Sequence, residues 1–187
     1  MQVRHDPTTI ALHWLTAGLV VLLWLSAQLI DFFPKGPARW NMLGAHMSMG
    51  VVLALVMIYR VGWRISKRER PLLFTSRHWA QASKFVHWAL YGLVLASIML
   101  GLWNAWVRGE HVFSLFQIPA FDEGNKALRK WAGDQHKLLA NTLLIVSGAH
   151  ALVGLAHHFI WRDGVLQRML PSRFAASSAP LPKVSAR

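Results

Sequence analysis

At 187 residues the chain has room for one domain, yet 54% of its residues are hydrophobic and only 15% charged, which is unlike an ordinary soluble protein. Its net charge of +12 lies beside long apolar runs, an arrangement that argues for a membrane surface and against nucleic acid. The absence of cysteine removes disulfides, thiolate nucleophiles, iron–sulfur ligation and covalent c-type haem attachment together.

The first apolar run, Ile10 to Ile30, is long enough to cross about 30 Å of hydrocarbon as a helix. Its length, its His13 and Gln28, and the lack of a small-residue cleavage motif set it apart from a signal peptide. Pro34 and Pro37 interrupt the chain before a second run, Met42 to Tyr59. The connection that follows carries Arg60, Arg64, Lys67, Arg68, Arg70, Arg77 and Lys84 against Glu69 alone. A third run spans Phe85 to Val107. Beyond it, Arg108, Lys126, Arg129, Lys130 and Lys137 are offset by Glu110, Asp122, Glu123 and Asp134. The stretch from Val112 to Asp134 is long for a loop and is expected to include a short surface helix. The fourth run, Leu138 to Trp161, leads to a basic tail that from Ser172 onward is rich in Ser, Ala and Pro and is expected to be disordered.

These elements predict an all-α integral membrane protein, a four-helix transmembrane bundle within residues 1–171, with spans near 10–30, 42–63, 84–107 and 136–161 and a tail over 172–187. The excess of Lys and Arg next to the spans assigns the second connection and both termini to the cytoplasmic side of the membrane, and the mixed-charge third connection to the outside. Tryptophans near the span ends, among them Trp14, Trp40, Trp63, Trp88, Trp106 and Trp161, read as an interfacial belt.

The pattern His-Trp-x-x-x-Gly-Leu-Val opens span one at His13 and span three at His87, so the chain reads as two related helical hairpins. Six histidines lie in or at the ends of the spans: His13, His46, His87, His136, His150 and His157, with His158 next to the last. Ionisable groups in a bilayer are costly, face the bundle interior and usually carry function. His136 and His150 are 14 residues apart, which returns them to one helix face about 21 Å apart along the axis. One helix can thus offer ligands to two stacked haems. Zinc would want clustered ligands, often with carboxylates, and none of the eight acids falls within a predicted span.

Depth pairs His46 with His136 at the outer level and His13 with His150 at the inner one, although the repeat keeps His87 open as an alternative to His13. If His87 and His157 are not ligands, their place near the cytoplasmic boundary suits a quinone pocket, with Lys84 and Arg77 available to stabilise a reduced, anionic quinone. Arg39, Lys126, Arg129 and Lys130 lie where they can attract a small anion to the outer level. His158 is assigned to the lipid interface, and His5, His78 and His111 to solvent.

Several pieces carry a family resemblance: Asn41-Met42-x-x-x-His46, the Arg108-Gly109 turn, His136-x-x-x-Ala140-Asn141, and His150 followed by Ala156-His157-His158-x-x-Trp161-x-Asp163. On these the chain resembles the bacterial cytochrome b561 family, most closely the members that carry electrons from superoxide to ubiquinone. The resemblance implies two haem b groups bound by four helix histidines, His13 with His150 and His46 with His136. It also implies an enzyme in which superoxide reduces the outer haem and the inner haem passes electrons to ubiquinone. Arg39 and Lys130 would draw superoxide in, and no obligatory protein partner is expected. Phe74 and Ser76 depart from the lysines expected there, which leaves the quinone site open. The rival within the same superfamily is a cytochrome b subunit of a hydrogenase or formate dehydrogenase, fed by an iron–sulfur partner. A haem-free transport protein with a histidine proton or metal path is a third reading.

Overall fold

The computed structural model describes residues 5–67, 77–109, 111–112, 116–122 and 124–171, without the side chains of 77–79, 111–112 and 116–117. The tail from Ser172 and the side chains of Arg77, His78 and His111 therefore lie outside the described residues. Four helices carry the fold: α1 (Pro7–Ile30), α2 (Pro37–Lys67), α3 (Arg77–Arg108) and α4 (Lys126–Ala156). All four are long and apolar enough to cross a membrane. At most 22% of any of their most apolar windows is buried inside the protein, so most of that apolar surface faces outward, as lipid requires.

The last three helices begin well before the apolar runs at Met42, Phe85 and Leu138. Hydropathy reports only the stretch that sits in hydrocarbon, whereas backbone hydrogen bonding continues into the charged interfacial turns. The expected surface helix between Val112 and Asp134 is replaced by the first turns of α4 and by a two-residue antiparallel pair, β1 (His111–Val112) with β2 (Phe116–Gln117). Phe121 anchors this loop, its amide bonded to the Trp106 carbonyl at 2.9 Å and its ring set against Trp103 and Trp106.

Local chemistry defines the helix ends. Asp6 caps α1, accepting from the Thr9 amide at 3.0 Å, with Pro7 preset for the first turn. Arg39 closes the other end of α1 by donating to the Ile30 and Phe33 carbonyls and pairing with Asp31. Within the spans, the hydroxyls of Thr16, Ser48 and Thr142 donate to carbonyls one turn back, which removes the cost of carrying them into lipid.

α1 packs along α2 and α3 along α4, while contacts between the two hairpins are sparser. A small core closes the middle of the bundle: Val20 of α1, Leu53 and Met57 of α2, Val94 of α3 and Leu143 of α4. Leu143 stands seven residues from both His136 and His150, and Leu53 seven from His46. Seven residues are nearly two full turns, so each helix turns one stripe inward and the apolar plug divides two polar levels.

After Ala156, α4 widens into a π-helical turn over His157–Trp161; Arg162 (φ 51°) and Gly164 (φ 78°) then reverse the chain into a 3-10 turn, Leu166–Met169. Three bonds hold this fold-back. The Trp14 indole donates to the Met169 carbonyl at 2.7 Å, His158 Nδ1 meets Gln167 Nε2 at 3.0 Å, and His157 Nδ1 donates to Asp163 at 2.6 Å. His158 is thus tied to the fold-back rather than turned to lipid. Burial opposes ionisation of Asp163, but the hydrogen bonds from His157 and the Val165 amide outweigh it and hold its carboxyl below the usual 3.8.

Met57 is 1% exposed and Met99 68%, so Met57→Ala should cost about 2 kcal/mol and Met99→Ala less than ~0.5 kcal/mol, read as thermal unfolding in detergent. The depressed Asp163 carboxyl stabilises the fold above its ordinary value of 3.8, and this contribution falls away as pH drops through the folded-state value. Asp163→Asn should therefore unfold at a lower temperature than the parent at neutral pH, with the gap narrowing below that value in a pH series of melting curves.

Candidate functional site

Two levels of inward-facing polar groups lie on either side of the apolar plug. At the outer level, the His46 ring of α2 faces His136 of α4 with centroids 6.3 Å apart. Ser26 Oγ donates to the Leu23 carbonyl at 2.8 Å and so offers a lone pair to His46 Nδ1, also at 2.8 Å. That network puts the proton of His46 on Nδ1 and leaves Nε2 as a free electron pair. Across from it, the His136 ring rests against Gly101 of α3, where a Cβ would approach its Cε1 to 3.1 Å. His136 Nδ1 is buried without a hydrogen-bond partner.

The outer level opens into a cavity of about 630 Å³ lined by Val20, Ala27, His46, Gly50, Leu53, Gly101, His136 and Leu143 among others. Trp24 and Asn141 join across it, indole N–H to amide oxygen at 2.9 Å. Its wall also carries Arg108, Lys126, Arg129, Lys130 and Lys137 against Asp31 and Asp134, a local excess of cations. Arg108 bonds to Asn104 and to the Arg129 carbonyl and lies over Gly133, where a side chain would meet its guanidinium. Lys130 is paired with Asp134. Arg39 is not among the lining residues; its guanidinium is engaged at the end of α1.

At the inner level His150 of α4 faces His13 of α1, again with centroids 6.3 Å apart, and His87 of α3 at 5.5 Å. Arg60 of α2 completes the level, its Nη2 3.2 Å from His13 Nδ1. His87 is therefore level with His150 rather than deeper, and the two histidines of the repeat both approach the same partner. His157 lies seven residues beyond His150 on the same stripe and is held by Asp163. Lys84 is exposed. His5, expected in solvent, is half-buried.

Two imidazoles bound to one metal from opposite sides, with bonds of about 2.0 Å and ~1.1 Å more to each ring centre, have centroids about 6.2 Å apart. His46–His136 and His13–His150 meet that separation, whereas His87–His150 is too close. No group of three or more His, Cys, Asp or Glu side chains converges on a common metal position among the described residues. The donor set thus fits a flat macrocycle with two axial imidazoles better than a tetrahedral ion. Ser26, Gly101 and Arg60 went unassigned on sequence. The seven-residue register would have found two of them, since Arg60 lies 14 residues past His46 and Gly101 14 past His87.

The family model for prokaryotic cytochrome b561 matches residues 4–172. A probable superoxide oxidase of Yersinia pestis, CybB, is 30% identical over 176 residues, covering 92% of this chain and 99% of that protein. Cytochrome b561 homolog 2 of Escherichia coli (strain K12) is 33% identical over 177 residues, covering 89% of this chain and 91% of its own length. Homolog 1 of the same organism is 27% identical over 173 residues, covering 91% of this chain and 98% of that protein. The family match takes in all four spanning helices and both pairs of facing histidines, and on it the chain belongs to the prokaryotic cytochrome b561 family: a membrane haem b protein of oxidoreductase type.

Proposed function

We propose that the protein is a superoxide:ubiquinone oxidoreductase with two haem b groups, one at each level of the bundle. The observation that carries the reading is the recurrence of an imidazole pair at 6.3 Å on both sides of the apolar plug, the outer pair lying in a cation-lined cavity. The name of the Yersinia pestis relative supports superoxide as the donor.

His46 and His136 would hold the outer haem, and His13 and His150 the inner one. Haem b bound there would supply one-electron transfer chemistry. Around it, the protein's residues set direction. Ser26 keeps the metal-facing nitrogen of His46 unprotonated, and Gly101 lets α3 seat the His136 ring. Arg108, Lys126, Arg129, Lys130 and Lys137 raise the local concentration of a small anion at the outer cavity; Arg39, already paired with Asp31, adds less. Two superoxide anions each lose one electron and leave as dioxygen; the two electrons and two protons convert ubiquinone to ubiquinol.

The excess of basic residues at the opposite end supports assigning that end, both termini and the quinone chemistry to the cytoplasmic side of the inner membrane. There His157, its Nδ1–H donated to Asp163, leaves Nε2 to accept from a quinol hydroxyl or, once protonated, to donate to a quinone oxygen, with His87, Lys84 and Arg77 as the neighbouring candidates.

Haem content separates the ligands: His46→Ala, His136→Ala, His13→Ala and His150→Ala should each lose one of two haems by pyridine haemochrome assay, while His87→Ala keeps both. Retention of both haems by any of the first four would break the assignment. For the reaction, stopped-flow mixing of the purified protein with superoxide should reduce the haems and a ubiquinone analogue should reoxidise them. Lys126→Glu with Arg129→Glu should slow the first step about tenfold at low salt and much less at high salt. Haems untouched by superoxide would favour a cytochrome b subunit fed by a protein partner.

A further inference from the structure

The interior stripe of α2 reads His46, Leu53, Arg60 in seven-residue steps. It supplies an imidazole to the outer level and an apolar side chain to the plug. At the inner level, where α1, α3 and α4 contribute His13, His87 and His150, it supplies a guanidinium. A permanent cation turned into a membrane bundle is costly and calls for an anion.

Among the described residues the ion pairs involve Arg39, Lys130 and His157, and none neutralises Arg60. Arg60 is half-buried, sits over the Tyr91 ring at 5.2 Å, and places Nη2 3.2 Å from His13 Nδ1. Arg64, one turn on, covers the same ring at 5.3 Å. The contact with His13 uses a nitrogen that must carry a proton once Nε2 binds a metal, because a neutral imidazole has only one lone pair to give. Two N–H donors cannot bond to each other. Occupation of the inner site therefore deprives Arg60 of its acceptor, and the entering haem brings two propionate carboxylates.

We propose that Arg60, steadied by Tyr91 and backed by Arg64, is the anion-binding residue of the inner haem site: it pairs with a haem propionate, orients the macrocycle and holds the inner haem at a higher reduction potential than it would otherwise have. This rests on the reading of His13 and His150 as the inner ligands. A guanidinium forks onto a carboxylate through two parallel N–H donors, and its charge favours the state that has gained an electron. Arg60 is a positioning residue that acts on electron transfer through the cofactor.

The test is a spectroelectrochemical titration of the full-length, haem-loaded protein, with the outer haem of the same sample as internal reference. Arg60→Leu should lower the inner-haem midpoint by at least about 59 mV, a tenfold change in its one-electron equilibrium, and leave the outer midpoint in place. Arg60→Lys keeps the charge but loses the fork, so it should shift the potential less while still altering the propionate modes in resonance Raman spectra. That second variant keeps the question open to refutation if Arg60→Leu fails to fold. Unchanged inner potential and propionate modes in a variant that retains two haems would overturn the proposal and point instead to a lipid phosphate as the partner of Arg60. Loss of the parent reading is distinguishable, because it appears as a wild-type protein with no haem at His13 and His150.

Discussion

The structure depends on keeping imidazoles inside a hydrocarbon slab at a separation one metal can bridge. A bilayer offers no water to hydrogen-bond a stray polar group, so an inward-facing nitrogen left without a partner is costly. The solution is a seven-residue register common to the helices. It stacks polar, apolar and polar levels along one interior axis: His46 with His136, then Leu53 with Leu143, then Arg60 with His150. Close packing within each hairpin and sparser packing between hairpins leaves space where the imidazoles face each other. A bundle packed equally on all sides would have no such room.

The two polar levels are not equivalent, and the difference is electrostatic. The outer one opens into a cavity whose wall mixes five cations with two acids, several of them already joined, as in Lys130 with Asp134. Such a wall keeps a positive field without an isolated buried charge. The inner level holds three histidines and an arginine with no carboxylate among the described ion pairs. The outer level suits the diffusing anion proposed as donor, and the inner level suits the bound carboxylate proposed for Arg60. The proposed direction of electron flow draws on that difference together with the basic flank.

The ends of the bundle are secured by short-range devices that cost little chain. Arg39 closes α1 onto the start of α2, and Arg108 lies across Gly133 to join α3 to α4. At the opposite end, Arg162 and Gly164 in left-handed backbone reverse the chain so that Met169 reaches Trp14 and Asp163 reaches His157. The segment from His157 to Met169 thus closes that end of the helices, and it sets the one histidine that continues the α4 stripe beyond the inner level.

Sequence alone determined the four apolar spans and the return of His136 and His150 to one helix face, because hydropathy and helical periodicity are local: a run of about 20 apolar residues and a 14-residue spacing need no tertiary partner to be read. Local signals set His87 deeper than His13 and could not show that it stands level with His150. Nor could they show that Arg39 ends α1 instead of lining the cavity, that Gly101 seats an imidazole, that Ser26 orients His46, or that Arg60 shares a level with three histidines. Each of those is a contact between helices whose relative rotation and height depend on how all four pack, and only the assembled bundle decided them.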